Sequence, residues 1–111
     1  MMSLFQLVFY VPSGYAEEVK HAVFCAGAGR VGNYDQCCWE TEGRGQFRPL
    51  AGSQPFLGEE NTLEYVAEKR IEMVVDGRCV DGVINALRRA HPYEEPAFSL
   101  LPLSNPPKEK E

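Results

Sequence analysis

The residues best suited to chemistry begin with a glycine-rich segment, residues 27–32, which matches G-x-G-x-x-G. In a dinucleotide-binding fold this motif follows a strand and opens a helix, so that backbone amides face the pyrophosphate. Here the pattern places it after a helix and before a strand, which favours a helix C-cap followed by a turn. An anion-binding nest of exposed amides stays open as an alternative. Its candidate ligand-binding residues are Gly29, Arg30, Asn33, Tyr34 and Asp35.

The densest polar cluster is His91-Pro92-Tyr93-Glu94-Glu95-Pro96, which the pattern places between a helix and a strand. His91, Glu94 and Glu95 could bind a divalent metal ion or serve as an acid/base pair. A simpler interpretation also stands. A histidine is favoured near a helix C-terminus, the prolines end the helix, and the glutamates are solvated. The sequence pattern fixes no third ligand in position, so His91, Glu94 and Glu95 are only a candidate metal-binding set.

The four cysteines, Cys25, Cys37, Cys38 and Cys79, contain no C-x-x-C spacing, which argues against a zinc ribbon or a thioredoxin-like site. Neighbouring residues of a strand point to opposite faces, so Cys37 and Cys38 are poorly placed to share one ion. We expect reduced, mostly structural thiols, with a redox or soft-metal role left open. No set of nucleophile, base and orienting group is visible, which argues against an enzyme.

Length and charge limit the function further. The chain has 111 residues and a mass of 12.4 kDa, enough for one domain. Its net charge of −5 disfavours nucleic acid and anionic membranes as partners. The N-terminal apolar run lacks a basic segment before it and is too short to span a bilayer, which predicts a cytoplasmic protein.

Hydrophobic periodicity predicts the elements that must position these residues. The predicted strands are 4–11, 36–41 with a hairpin partner at 46–48 across a turn at 42–45, then 62–76 and 97–103. One helix follows Ser13 as N-cap, and another is opened by Asp76-Gly77 and ended by Pro92. The segment 49–61 is predicted to be a loop, and residues 104–111 a disordered polar tail.

This order predicts an α+β fold, a ferredoxin-like βαββαβ sandwich formed by a single domain over residues 1–103. Its mostly antiparallel sheet carries both helices on one face. The first strand is apolar on both faces, with Phe5, Leu7 and Phe9 on one and Leu4, Val8 and Tyr10 on the other. Because the helices cover one face, we expect another chain to cover the other.

Four segments in order resemble the inserted domain of the Nif-three-like proteins: 27–36 (GAGRVGNYDQ), 45–50 (GQFRPL), 70–72 (RIE) and 91–96 (HPYEEP). The resemblance covers roughly residues 3 to 103. The last segment is also similar to the end of CutA, a relative of the PII signalling proteins. These resemblances imply a PII/CutA-like fold that commonly assembles as a trimer.

In full-length Nif-three-like proteins the resemblance places the dinuclear metal ligands in two halves that flank this insert. Those halves lie outside the present sequence, which reads as a stand-alone domain, so their hydrolase-like chemistry is not carried over. The sequence therefore predicts a non-catalytic binding or regulatory module. We expect a homotrimer, or else a dimer, that holds a metal ion or a small anionic ligand between subunits. The alternative is a structural or protein-interaction domain without a small ligand.

Overall fold

A computed structural model describes residues 3–104, so most of the predicted tail, 105–111, lies outside the described residues. Four strands and two helices make up the fold. They are β1 (Leu4–Pro12), α1 (Ala16–Cys25), β2 (Trp39–Phe47), β3 (Glu64–Asp76), α2 (Val80–Ala90) and β4 (Phe98–Leu103). One turn of 3-10 helix precedes each α-helix, at Ser13–Tyr15 and Gly77–Cys79.

The four strands form one antiparallel sheet in the order β2-β3-β1-β4. The long strand β3 and the first strand β1 therefore lie at its centre. Leu7 of β1 faces Met73 of β3 and Leu100 of β4. This confirms the predicted α+β, ferredoxin-like class.

The core lies between the sheet and the two helices. Alternate residues of the central strands face the helices, because successive side chains of a strand point to opposite sides. Apolar side chains at helical spacing on α1 and α2 meet them. The fully buried core members include Leu7, Phe9, Ile71, Val75, Val19, Val23, Val83 and Leu87. Each such side chain contributes about 1.5–3 kcal/mol by leaving water.

The predicted hairpin over 36–48 is wrong, because Trp39–Phe47 is one continuous strand. It pairs with β3 from Trp39 opposite Glu72 to Phe47 opposite Glu64. Gly45 marks a close approach rather than a turn, since a Cβ there would collide with the Glu68 side chain. The chain reverses instead between 48 and 63, where the Asn61 amide donates to the Pro49 oxygen at 2.6 Å.

Both helices begin later than predicted. Ser13 makes no side-chain cap, and α1 begins at Ala16 after the 3-10 turn. Asp76 does cap its turn, because its carboxylate accepts a hydrogen bond from the Arg78 amide at 2.9 Å. The longer helix α2 then begins at Val80.

The open face of the sheet, opposite the helices, is less apolar than expected. Val8 is only 3% exposed on this face. Polar side chains of β1 and β3 surround it and form a row. In that row Gln6 donates to Glu72 at 2.8 Å, and Arg70 donates to both Glu72 and the Tyr10 hydroxyl. The exposed apolar side chains lie at the two edges, with Trp39 on β2 and Leu101 on β4.

Candidate functional site

His91 joins the end of α2 to the central strand. Its amide donates to the Leu87 oxygen, and the side chain is only 5% exposed. Because the Tyr93 amide donates to Nδ1 at 3.1 Å, that nitrogen is the acceptor and Nε2 carries the proton. Nε2 then donates to the Tyr10 backbone oxygen at 2.6 Å. Burial lowers the pKa of His91, while the Tyr10 oxygen and the Glu68 charge act in the opposite direction.

Tyr93 connects this histidine to the long strand. Its hydroxyl donates to Glu68 Oε2 at 2.9 Å, and its ring lies 5.1 Å from the His91 ring between centroids. Burial and the Glu68 carboxylate together raise the pKa of Tyr93 above its ordinary range. A neutral phenol therefore holds the Glu68 carboxylate in place at neutral pH.

The predicted metal set, His91, Glu94 and Glu95, does not form a complete metal site within one chain. Both ring nitrogens of His91 are engaged with the backbone, as just described. The two carboxylate oxygens of Glu94 each accept from the Gln54 amide at 3.2 Å. Within residues 3–104 no group of three or more His, Cys, Asp or Glu side chains is placed to hold a metal ion.

A cleft of about 290 Å³ lies beside this turn. Its aromatic lining is Tyr10, Phe47, Phe56 and Tyr93, and its acidic lining is Glu68, Glu94 and Glu95. The Tyr93 ring centroid lies 5.7 Å from that of Phe47 and 6.5 Å from that of Phe56. Phe56 comes from the loop between β2 and β3 and packs edge-on against Tyr15 at 5.5 Å.

Sequence reasoning found Glu94 and Glu95 but missed the rest of this cleft. It treated 49–61 only as a loop and Glu68 only as part of a polar strand face. The one available signal was the pair Phe56-Leu57, two large apolar residues inside a segment otherwise rich in loop-forming residues.

Several backbone amides of the glycine-rich segment are engaged in hydrogen bonds within the fold. The Gly29 amide donates to the Val74 oxygen at 2.8 Å, and the Gly29 oxygen accepts from the Cys37 amide at 2.8 Å. Val31 and Tyr34 exchange two hydrogen bonds of 2.9 Å across a tight turn. The amides of Gly29, Val31 and Tyr34 are therefore unavailable to an anion. The side chains of the other predicted residues, Arg30, Asn33 and Asp35, are exposed, as is Tyr34.

The two predicted residue sets are not brought together within one chain. Gly29 bonds to Val74, which pairs with Gln6, whereas His91 bonds to Tyr10. Gln6 and Tyr10 are four residues apart on β1, about 13 Å along a strand. A single site built from both sets would need two chains.

All four cysteines are free thiols. Cys25 Sγ lies 3.5 Å from His21 Nε2 on the exposed side of α1. Burial raises the pKa of Cys38, which packs against the core. These surroundings favour a structural role for Cys38.

The fold defines the class of protein, a CutA-like α+β domain. The structure of CutA from Synechococcus elongatus matches 91% of this chain and 77% of its own, with a TM-score of 0.63 at 17% identity. That likeness concerns the fold alone.

The sequence comparison is more specific. A Bacillus subtilis protein named "GTP cyclohydrolase 1 type 2 homolog" is 45% identical over 105 residues, which are 95% of this chain and 28% of the relative. A crystal structure of a Bacillus cereus protein related to NIF3 matches 94% of this chain and 26% of its own, with a TM-score of 0.80 at 40% identity. The chain is therefore the counterpart of one segment of the NIF3-related proteins, which confirms the resemblance seen in its motifs.

This chain spans about a quarter of the length of these relatives. No family model matches it. Within the part that the structure describes, none of the helices is long and apolar enough to cross a bilayer.

Proposed function

We propose that this chain is a non-catalytic binding module that works in the cytoplasm as an oligomer of identical chains, a homotrimer rather than a dimer. The open sheet face supports the proposal. Trp39 is 70% exposed and Leu101 is 49% exposed on a face that no helix among the described residues covers. Large apolar side chains exposed on a sheet with free edges are typical of a surface that pairs with another chain.

The position of these two side chains favours a ring over a dimer. Trp39 lies on one edge strand and Leu101 on the other, with the polar row of Gln6, Glu72 and Arg70 between them. A head-to-tail contact would join the Trp39 edge of one chain to the Leu101 edge of the next, and three such contacts can close. A ring also offers a way for two chains to combine the glycine-rich segment and the His91 turn.

The names of the relatives do not carry an activity to this chain, because "GTP cyclohydrolase 1 type 2 homolog" describes proteins more than three times as long. Among the described side chains, His91 is the one buried polar group, and both of its nitrogens bind the backbone. This use of its best acid/base candidate supports a binding role rather than a catalytic one. Anion binding at Arg30 and metal binding at Glu94 and Glu95 stay predictions, and the metal would need ligands from a second chain.

Sedimentation velocity at micromolar concentration tests the proposal. We expect a trimer for the natural chain and monomers for Trp39→Asp and Leu101→Asp. Leu50→Asp is the control, since Leu50 is an exposed apolar residue of the loop between β2 and β3 and is not part of the sheet. Circular dichroism should show all three variants folded.

Mixing the two variants separates a ring from a dimer. In a head-to-tail assembly the Trp39→Asp chain keeps its Leu101 edge and the Leu101→Asp chain keeps its Trp39 edge, so one sound contact re-forms and a mixed dimer appears. A two-fold dimer that joins one edge to the same edge of its partner is disrupted by only one of the two variants and gives no such rescue. A natural chain that stays monomeric would overturn the proposal and favour the alternative, an interaction domain that docks on a larger protein.

A further inference from the structure

The cleft beside Tyr93 has a wall of aromatic rings. Phe47, Phe56 and Tyr93 come from three separate parts of the chain, and their rings are tilted by 52–59° rather than stacked. Tilted rings form a concave surface, and Tyr10 adds a fourth ring to the lining. A volume of about 290 Å³ is at the small end of ligand sites, so it suits a small molecule better than a folded partner.

The charged side chains that line the cleft are all acidic. Its lining contains the carboxylates Glu68, Glu94 and Glu95, and none of the described residues that line it is Lys, Arg or His. The nearby Arg70 is engaged on the open sheet face, where its guanidinium donates to the Tyr10 hydroxyl at 3.1 Å and pairs with Glu72 at 3.4 Å. An anionic ligand would therefore meet only negative charge here.

The Glu68 carboxylate lies beside the aromatic wall and is held there by a hydrogen bond. Glu68 is half-buried, and its Oε2 accepts a hydrogen bond from the Tyr93 hydroxyl, while its Oε1 packs against Gly45 of β2. Glu94 is fixed by the Gln54 amide, which ties the loop carrying Phe56 to the turn carrying Tyr93. The aromatic and acidic parts of the cleft are thus connected by hydrogen bonds before any ligand arrives, which lowers the ordering cost of binding.

From this geometry we infer that the cleft binds a small organic cation, a primary ammonium ion on an apolar stem. The ammonium N–H groups donate to Glu68 and Glu95, and the ring faces attract the charge and cover the stem. The inference rests on the proposed function only in taking the chain to be a binding module, and it does not require the oligomer.

Calorimetric titration at pH 7 with three compounds of similar size tests the ligand class. The probes are 2-phenylethylammonium, the neutral 2-phenylethanol and the anionic 3-phenylpropanoate. We expect saturable binding of the cation, at least about tenfold weaker binding of the alcohol and none of the anion. Equal affinity for the cation and the alcohol would overturn the inference, and so would failure of the cation to bind.

Charge-neutralising variants locate the site. Glu68→Gln and Glu95→Gln should each weaken binding of 2-phenylethylammonium by about tenfold. Glu18→Gln, which removes the same charge from an exposed position on α1, should leave it unchanged. Because Glu95 is exposed, its variant keeps the test valid even if Glu68→Gln unfolds the protein. An equal loss in all three variants would mean that net charge alone attracts the probe.

Sedimentation and a Zn²⁺ titration separate this inference from the proposed oligomer and from the predicted metal site. A natural chain that is monomeric but binds the ammonium ion would overturn only the proposed oligomer. A trimer that does not bind the ammonium ion would overturn only the proposed cation site. A titration with Zn²⁺ completes the set. Binding of Zn²⁺ that needs Glu94 and Glu95, without binding of the ammonium ion, would overturn the organic-cation inference in favour of the metal prediction.

Discussion

His91 Nε2 donates to the backbone oxygen of Tyr10 at 2.6 Å, across 81 positions of sequence. This bond fixes the turn after α2 against the central strand. The hydrogen bond from the Tyr93 amide to Nδ1 then fixes the backbone at Tyr93. The position of the Tyr93 ring, and with it the wall of the cleft, therefore depends on a neutral His91. The histidine positions the cleft without lining it.

Acidification should destabilise the protein through His91. Burial holds the pKa of His91 below its ordinary value of 6.5 in the folded state, so the unfolded chain binds the proton more readily. The stabilisation is complete above pH 6.5 and is lost progressively as the pH falls from 6.5 through the lower folded pKa. Urea unfolding between pH 8 and pH 5 measures this slope.

The matched variants are His91→Gln and His21→Gln. His21 is exposed on α1, so its replacement should leave the pH slope intact. His91→Gln should flatten the slope and lower stability at pH 8 by about 1–3 kcal/mol, because a backbone group is left unpaired. A natural chain whose stability is level across this range would contradict the assignment.

The fold was predictable because its strongest patterns are local. Alternation over β3 and helical spacing over α2 come from single segments that bury one face against the same core. The hairpin prediction was wrong for a physical reason: Gly43 and Gly45 are typical turn residues, but here Gly45 lies within a strand, where the Glu68 carboxylate packs against it.

The cleft was not predictable in the same way. Phe47, Phe56, Glu68 and Tyr93 belong to four segments, and only the antiparallel register and the His91 bond bring them together. Short-range spacing identified the Glu94-Glu95 pair because both residues lie in one turn. Spacing alone could not show that both His91 ring nitrogens bind backbone groups, or that Glu94 and Glu95 border a cleft lined by aromatic rings.

Gly29→Ala should destabilise the fold more than Gly32→Ala. A Cβ at Gly29 would lie 2.8 Å from Phe24 and 3.0 Å from the Cys37 oxygen, at a φ of +82°. Gly32 has a φ of +58° but open space around it. We expect a loss of about 3 kcal/mol at Gly29 and about 1 kcal/mol at Gly32, measured by urea unfolding. Equal losses would show that backbone strain alone matters and that the close packing at Gly29 relaxes freely.

Glu40→Gln should lower the thermal midpoint more than Glu42→Gln. Glu40 receives Lys20 of α1 at 2.8 Å and Lys69 of β3 at 2.7 Å, so its carboxylate joins three elements. These hydrogen bonds lower the pKa of Glu40, so the stabilisation is present at neutral pH and is lost as the pH falls below 4.5 toward the folded value. Glu42 is its exposed neighbour on the same strand. Scanning calorimetry at pH 7 and pH 3 checks both points, and a difference between the variants that does not shrink from pH 7 to pH 3 would refute the electrostatic explanation.

Tyr93→Phe should cost about 1 kcal/mol of stability, because it removes the hydroxyl that donates to Glu68 while keeping the ring against Phe47 and His91. Tyr34→Phe is the matched control, since Tyr34 is 75% exposed and should tolerate the change. A double-mutant cycle with Glu68→Gln isolates the pair, because the loss at Tyr93 should shrink once Glu68 is neutral. Strictly additive losses would mean that Tyr93 and Glu68 act independently, and the Glu68 carboxylate would then need another explanation for its place in the aromatic wall.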